Sequence, residues 1–379
     1  MRASLIRPSV LLALLFAPFV SSAEIKIGAV VSATGPASFL GEPQRQTVEM
    51  YVKRINDAGG IRGEKLKLVM YDDGGDANAS RTYASRLVEE DKVSAVLGGS
   101  GTGNSLAMMP VFESAEIPYI SFSGGVQIID PVRKWTFKPP HTDLMACQKI
   151  FEHMKKKAIT RIAVIAGQGG FAKSMVTQCK VSAGQYGITI AAEESYGPRD
   201  SDMTPQLSRI KSVNGIQAIV NPDIGQSPAI VSRNFKQLGF TIPLYLSHAA
   251  ATQGFLQLAG PAAEGVLLPA PLLLVVDDLD DSDKQKSLLK DYKTTFEKAT
   301  GKSVDAFGGY AYDGLTLLVD AMKRAGSFDP AKVRTAIEST KNFPATVGTI
   351  SMSSTDHLGI DLSSFRMLTV KSGKWVTAP

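Results

Sequence analysis

The sequence predicts an α/β protein of two doubly wound lobes joined by three crossover hinge segments. Three observations predict it. Strands alternate with helices of about ten to fifteen residues, the pattern of a mostly parallel sheet covered on both faces. The alternation runs twice with the same order of elements. It breaks at three stretches carrying proline, 135–142, 264–271 and the region of Pro344.

Before the first strand, Arg2 and Arg7 form a basic n-region, 10–20 an apolar run, and Ser21-Ser22-Ala23 a small-residue cleavage site. This is the pattern of a secretory signal peptide over 1–23, cleaved after Ala23. The apolar run falls short of the roughly 20 residues that span a bilayer. No Cys follows it to carry a lipid. The run 25–76 then reads strand, Thr34-Gly35-Pro36 turn, amphipathic helix, Gly59-Gly60 stop, and a second strand ending in Asp72-Asp73. Its loops gather at the carboxyl ends of the strands, where open α/β sheets bind ligands.

A helix is expected over 77–90, a buried strand over 94–97, a helix over 104–115 and a strand over 118–121. After the first break the series restarts with a helix from Thr142, a strand over 161–166, a helix over 171–186 and a strand over 188–194. Strands over 216–221 and 243–246 follow, each behind a helix. After the second break come an acidic loop over 277–283 and helices over 284–300, 305–325 and 330–340. Two strands, 348–352 and 365–370, close the chain. The expected lobes are 24–140 with 270–344, and 141–269 with 345–379. Short extended crossovers suit hinges, because few residues need absorb the change in φ and ψ.

The formal net charge of +5 loses two units with Arg2 and Arg7, and acidic and basic residues alternate without forming a patch. Nucleic acid and anionic membrane surfaces are thereby disfavoured as partners. Cys147 and Cys179 fall on consecutive predicted helices. In an oxidising compartment they fit one disulfide, and two unpaired buried thiols equally well.

The order TGP…LG, INDAGGIRGEKLKL, YDDGGDANAS, LVEEDKVSAVLGG, IPYIS, DSDMTPQL and GYAYDGL resembles periplasmic solute-binding proteins of the branched-chain amino-acid type, over 24–375. The resemblance implies the type I periplasmic binding fold, a periplasmic monomer, a small-molecule ligand, and the membrane permease of an ABC importer as partner. Within that family, GPASFLG, YDDGGD and IIDPVRKW resemble the subgroup that binds aromatic carboxylic acids.

The resemblance further implies that loops after the third and fourth strands, here 99–102 and 121–125, grip a ligand carboxylate. Ser100, Thr102, Ser121 and Ser123 are the expected hydroxyl donors, with Gly124 supplying an N–H. Hydroxyls, backbone N–H groups and helix N-termini can hold an anion without a full buried counter-charge. Ordinary turn and N-cap chemistry is the competing reading of the same residues. The family's amino-acid binders hold the ammonium group with a tyrosine and an acid in the second lobe. Here those positions carry Phe171 and, at or near the acid, His248. A desolvated ammonium would lose its anionic partner, which is costly, so α-amino acids are not the expected ligands. Asp223 is the one acid placed to rescue an ammonium. Phe39, Leu40, Phe171 and Phe307 are candidates for an apolar wall, and Tyr310 and His248 for donors to a second polar end.

Catalysis fits poorly. Gly99-Ser100-Gly101-Thr102-Gly103 lacks the spacing and position of a nucleotide loop, and the serine-nucleophile pattern fails at Thr102. The histidines at 141, 153, 248 and 357 have no metal-ligand spacing. No cofactor or metal is expected. The alternatives are a branched-chain or other amino-acid binding protein and a ligand-sensing partner of a membrane receptor.

Overall fold

The computed structural model describes residues 24–379, so the expected export signal lies outside the described residues. Apolar runs such as IKIGAVV are buried almost throughout, as strands covered on both faces require. The first sheet is parallel with order β2-β1-β3-β4-β5: β1 (Ile25–Val31), β2 (Leu66–Asp72), β3 (Ala95–Gly98), β4 (Tyr119–Ser121) and β5 (Thr136–Phe137). Its early helices are α1 (Ser38–Asp57), α2 (Ala77–Arg86) and α3 (Thr102–Ala115). Gly59 (φ 102°) and Gly60 (φ 77°) end the turn after α1, as expected from the Gly-Gly pair.

The second lobe starts with α4 (Asp143–Lys156), β6 (Arg161–Gly167), α5 (Gly170–Ala183) and β7 (Thr189–Tyr196). It continues through α6 (Thr204–Lys211), β8 (Ala218–Asn221), α7 (Ser227–Gln237), β9 (Leu244–Leu246), α8 (Gln253–Ala259) and β10 (Leu267–Ala270). The chain then returns to the first lobe as α9 (Lys286–Thr300), α10 (Ala306–Ala325), α11 (Pro330–Glu338) and the hairpin β11 (Phe343–Ala345) with β12 (Gly348–Ile350). It ends in β13 (Arg366–Lys371) and β14 (Lys374–Thr377), which complete a seven-stranded sheet of order β14-β13-β10-β9-β8-β6-β7. α10 packs along α1 with α9 beside them: Thr47 Oγ1 and Tyr292 OH lie 2.9 Å apart, and Tyr51 meets Tyr312 edge-on at 4.8 Å.

The stretch 264–271, expected as a break, instead contains a strand, β10. Pro269 and Pro271 suggest a breaker because proline removes a ladder donor. β9, however, pairs with β10 only at Leu267, so that neighbour has ended before Pro269. On its other side β10 runs antiparallel to β13, with Pro269 opposite Met367. β11 and β14 are also additions to the expected elements. Both are short strands defined by an antiparallel partner.

Buried Asp313 of α10 accepts from Thr346 N (2.6 Å), Thr346 Oγ1 (2.8 Å) and Val347 N (3.1 Å), fastening the hairpin to the first lobe. We therefore propose the third crossover within 351–365, beyond the hairpin, instead of at 344. Cys147 and Cys179 form one disulfide between α4 and α5, with a Cα–Cα distance of 5.1 Å and both residues fully buried.

Candidate functional site

The carboxyl ends of β3 and β4 turn the predicted donor loops toward the second lobe. In the first loop, Ser100 Oγ accepts from Ser32 N (2.9 Å) and donates to Gln44 Oε1 (2.5 Å). Its single proton is therefore spent inside the lobe. Thr102 differs: its Oγ1 is buried without a hydrogen-bond partner in the protein. A methyl on Gly125 would fall 2.4 Å from Thr102 Cγ2, so the two predicted loops meet there.

Ser121 and Ser123 enter a hydroxyl nest centred on Ser105. Ser105 Oγ donates to Gly99 O (3.0 Å) and lies 2.8 Å from Ser121 Oγ, 3.1 Å from Ser123 Oγ and 3.0 Å from Tyr119 OH. With its own proton on Gly99, Ser105 can only accept. Ser121 and Ser123 then carry hydroxyl protons that an anion can draw off, while Tyr119 OH also donates to Gly98 O (3.1 Å) and stays within the lobe. Ser105 and Tyr119 were missed in the sequence, where a helix interior and a strand carry no mark of a polar cluster.

At Gly124 the two lobes approach each other closely. A methyl there would lie 3.0 Å from His248 Nε2 and 3.2 Å from a Phe171 ring carbon. Phe171, at the start of α5, and His248, after β9, meet edge-to-face at 5.6 Å. His248 is buried and its Nδ1 has no partner. Burial, helped by the Lys138 charge, holds its pKa down at about 3, so the ring is neutral.

Asp223, expected as a possible anchor for an ammonium group, has its carboxylate filled within the second lobe. It accepts from Tyr196 OH (2.6 Å), Gly167 N (3.1 Å) and Ile224 N (2.8 Å). Burial raises its pKa against the pull of those donors.

From the first lobe, buried Tyr310 of α10 presents a hydroxyl with no partner in the protein. Its ring meets Phe307 at 6.1 Å, and Phe307 meets Phe39 at 6.2 Å, both edge-on. Phe39 reaches across to the second lobe, 3.6 Å from where a methyl on Gly225 would lie. Beyond Phe39 an interlobe cavity of about 770 Å³ opens between the start of α1 and the start of α8. Leu40 is buried in the hydrophobic core, against which Phe39 is partly buried.

Two further residues join these aromatic groups into one series from Phe39 to Phe171. His141, in the first crossover, stacks on Phe365 at 3.7 Å and lies 6.5 Å from Tyr310, and Phe365 in turn meets His248 at 5.6 Å. Burial, reinforced by His248 and Lys138, holds His141 well below its usual pKa. Ser364 Oγ donates to Asp361 O (2.5 Å) and lies 2.9 Å from His141 Nε2. The hydroxyl has one proton, so Nε2 carries the ring proton and donates to Ser364. His141 Nδ1, which has no partner, is then a bare acceptor. For His141 the available signal was position, since it falls in the first predicted crossover, whereas Phe365 stood at the start of a predicted strand and carried no such mark.

Among the described residues no group of three His, Cys, Asp or Glu side chains could hold a metal ion. The arrangement offers donors on one lobe, aromatic rings from both, and isolated polar atoms at the far side.

A family model described as "Periplasmic binding protein" matches residues 24–374. The chain belongs to the periplasmic binding protein family. Within it, this periplasmic binding protein is 26% identical over 328 residues to the leucine-, isoleucine-, valine-, threonine- and alanine-binding protein of Pseudomonas aeruginosa, covering 85% of this chain and 84% of the relative. An extracellular ligand-binding receptor from Rhodopseudomonas palustris HaA2 superposes with a TM-score of 0.86 at 29% identity, over 94% of this chain and all of that one. A branched-chain amino acid transporter substrate-binding protein from Streptococcus pneumoniae, solved with isoleucine, shares the fold with a TM-score of 0.82 at 21% identity, over 93% and 98% of the two chains. The type I fold and the branched-chain amino-acid transporter type inferred from the sequence are thus those of its relatives.

Proposed function

We propose that this periplasmic binding protein captures a small carboxylate with an aromatic body and hands it to the permease of an ABC importer. The observation that carries the reading is the interlobe series of Phe39, Phe307, Tyr310, His141, Phe365, His248 and Phe171, set against the hydroxyl nest. Thr102, Ser121, Ser123 and the Gly124 N–H meet the carboxylate, while Ser100 shapes its loop. The rings receive the body, since aromatic neighbours favour offset and edge-on contacts. Closure brings Phe171 and His248 onto Gly124, removes water, and shifts the population toward the state read by the permease.

The relatives' names favour branched-chain amino acids as the second reading. Against it, the second-lobe positions that would meet an ammonium hold Phe171 and neutral His248, and the Asp223 carboxylate already accepts three donors. Calorimetry and thermal shift decide between them. Benzoate- or cinnamate-type acids should bind and raise the Tm while leucine does neither; leucine binding with no response to the acids would overturn the proposal.

A further inference from the structure

We propose that Lys138 is the counter-charge for the bound carboxylate, so that the cleft selects anionic guests over neutral ones of the same shape. The inference rests on the carboxylate reading above and adds a residue that the sequence did not single out.

Lys138 follows β5 directly. In the ladder between β4 and β5, Tyr119 faces Thr136 and Ile120 faces Phe137, so the next positions in register are Ser121 and Lys138. Neighbouring strands lie about 4.8 Å apart, which sets the backbone of this lysine one strand from Ser121 at the ligand edge of the sheet, while its charge is near enough to His141 and His248 to act on both. It is fully buried. Its Nζ donates to the carbonyls of Pro140 and of His141 (3.2 Å) and makes no ion pair among the described residues. An ammonium has three protons to give, and these contacts account for two.

The surrounding ionisable groups leave the ammonium without an anion in contact. Asp143 of α4 attracts it from beyond ion-pair distance, its oxygens being held by Val126 N (2.9 Å), Leu144 N (2.9 Å) and Ser174 Oγ. His141 in the crossover and His248 after β9 are neutral, and the lysine charge opposes the protonation of each. The segment 351–365 contributes only the His357 carbonyl, which accepts from Lys138 N (3.1 Å). A buried cation with no anion in contact is costly, and burial, opposed by the more distant Asp143, brings the Lys138 pKa down to about 7. A carboxylate entering the nest supplies the missing anion and draws a proton onto Nζ.

Calorimetry at about pH 8, in two buffers of different ionisation enthalpy, tests this with benzoate, cinnamate and their amides. Wild-type protein should bind the acids with net proton uptake and prefer them to the amides. K138M should lose roughly 10- to 100-fold in acid affinity along with the proton uptake, while amide affinity holds and K138R recovers the acids. Acid binding without proton uptake, or an equal loss for acid and amide in K138M, would overturn the proposal. The wild-type comparison decides even if K138M fails to fold. If neither acid binds at all, the carboxylate reading itself has failed.

Discussion

In the proposed carboxylate site, His141 is the residue whose chemistry would constrain a guest most narrowly beyond its carboxylate. Its Nε2 proton is committed to Ser364, so its buried Nδ1 accepts and cannot donate. The Tyr310 hydroxyl, also without a partner, borders the same ring. Leaving such an acceptor unpaired costs about 1–3 kcal/mol. A guest acid bearing a ring hydroxyl should therefore bind about 10-fold or more tighter than its O-methyl ether, and H141F should erase that preference. Equal affinities for hydroxyl and ether in wild-type protein would refute the acceptor role. At this scale the sequence marked residue types well and hydrogen bonding poorly. Ser100 and Ser123 look alike in Ser/Gly loops, yet Ser100 spends its proton on Gln44 while Ser123 joins the nest. Partners 56 residues away, as Gln44 is from Ser100, leave no local trace.

At the scale of elements, α4 and α5 are joined by the Cys147–Cys179 disulfide, and α10 is pinned to the hairpin by Asp313. The disulfide closes a loop of 32 residues, for which the chain-entropy account gives about 3–4 kcal/mol. A C147S/C179S double variant should lose about that much stability in denaturant titrations, with little change in ligand Kd, because the bond lies within one lobe. A stability loss near zero would mean that helix packing alone fixes the pair. Most elements were readable because a strand buried on both faces announces itself as an apolar run. The exceptions had physical causes. β10 carries prolines that are tolerated only because β9 has already ended beside it, and β14 is a strand because β13 supplies its ladder.

On the scale of the whole molecule, the lobes meet with Gly124 against His248 and Phe171, and with Phe39 against Gly225. A side chain at Gly124 would press on both rings, its first carbon falling 3.0 Å from His248 Nε2 and 3.2 Å from Phe171. G124V should keep the secondary structure and Tm of the parent, since the added bulk points between lobes and not into either core. It should weaken acid binding by about 1–3 kcal/mol, the usual cost of overpacking. Scattering should show ligand-induced compaction in wild-type protein and little in G124V. Unimpaired compaction in the variant would show that closure does not bring these groups together.

The sequence by itself determined that this is a two-lobed α/β binding protein with its ligand edge at the ends of the early strands. Strand and helix periodicity is local, and so many family segments in register leave little freedom. Tertiary structure decided which side chains remain to meet a ligand. It consumed Ser100 and Asp223 in internal hydrogen bonds, left Thr102, His141 and Tyr310 with unpaired atoms, and set Lys138 one strand from Ser121. Those outcomes depend on which distant groups reach each atom first, and only the folded chain determines that.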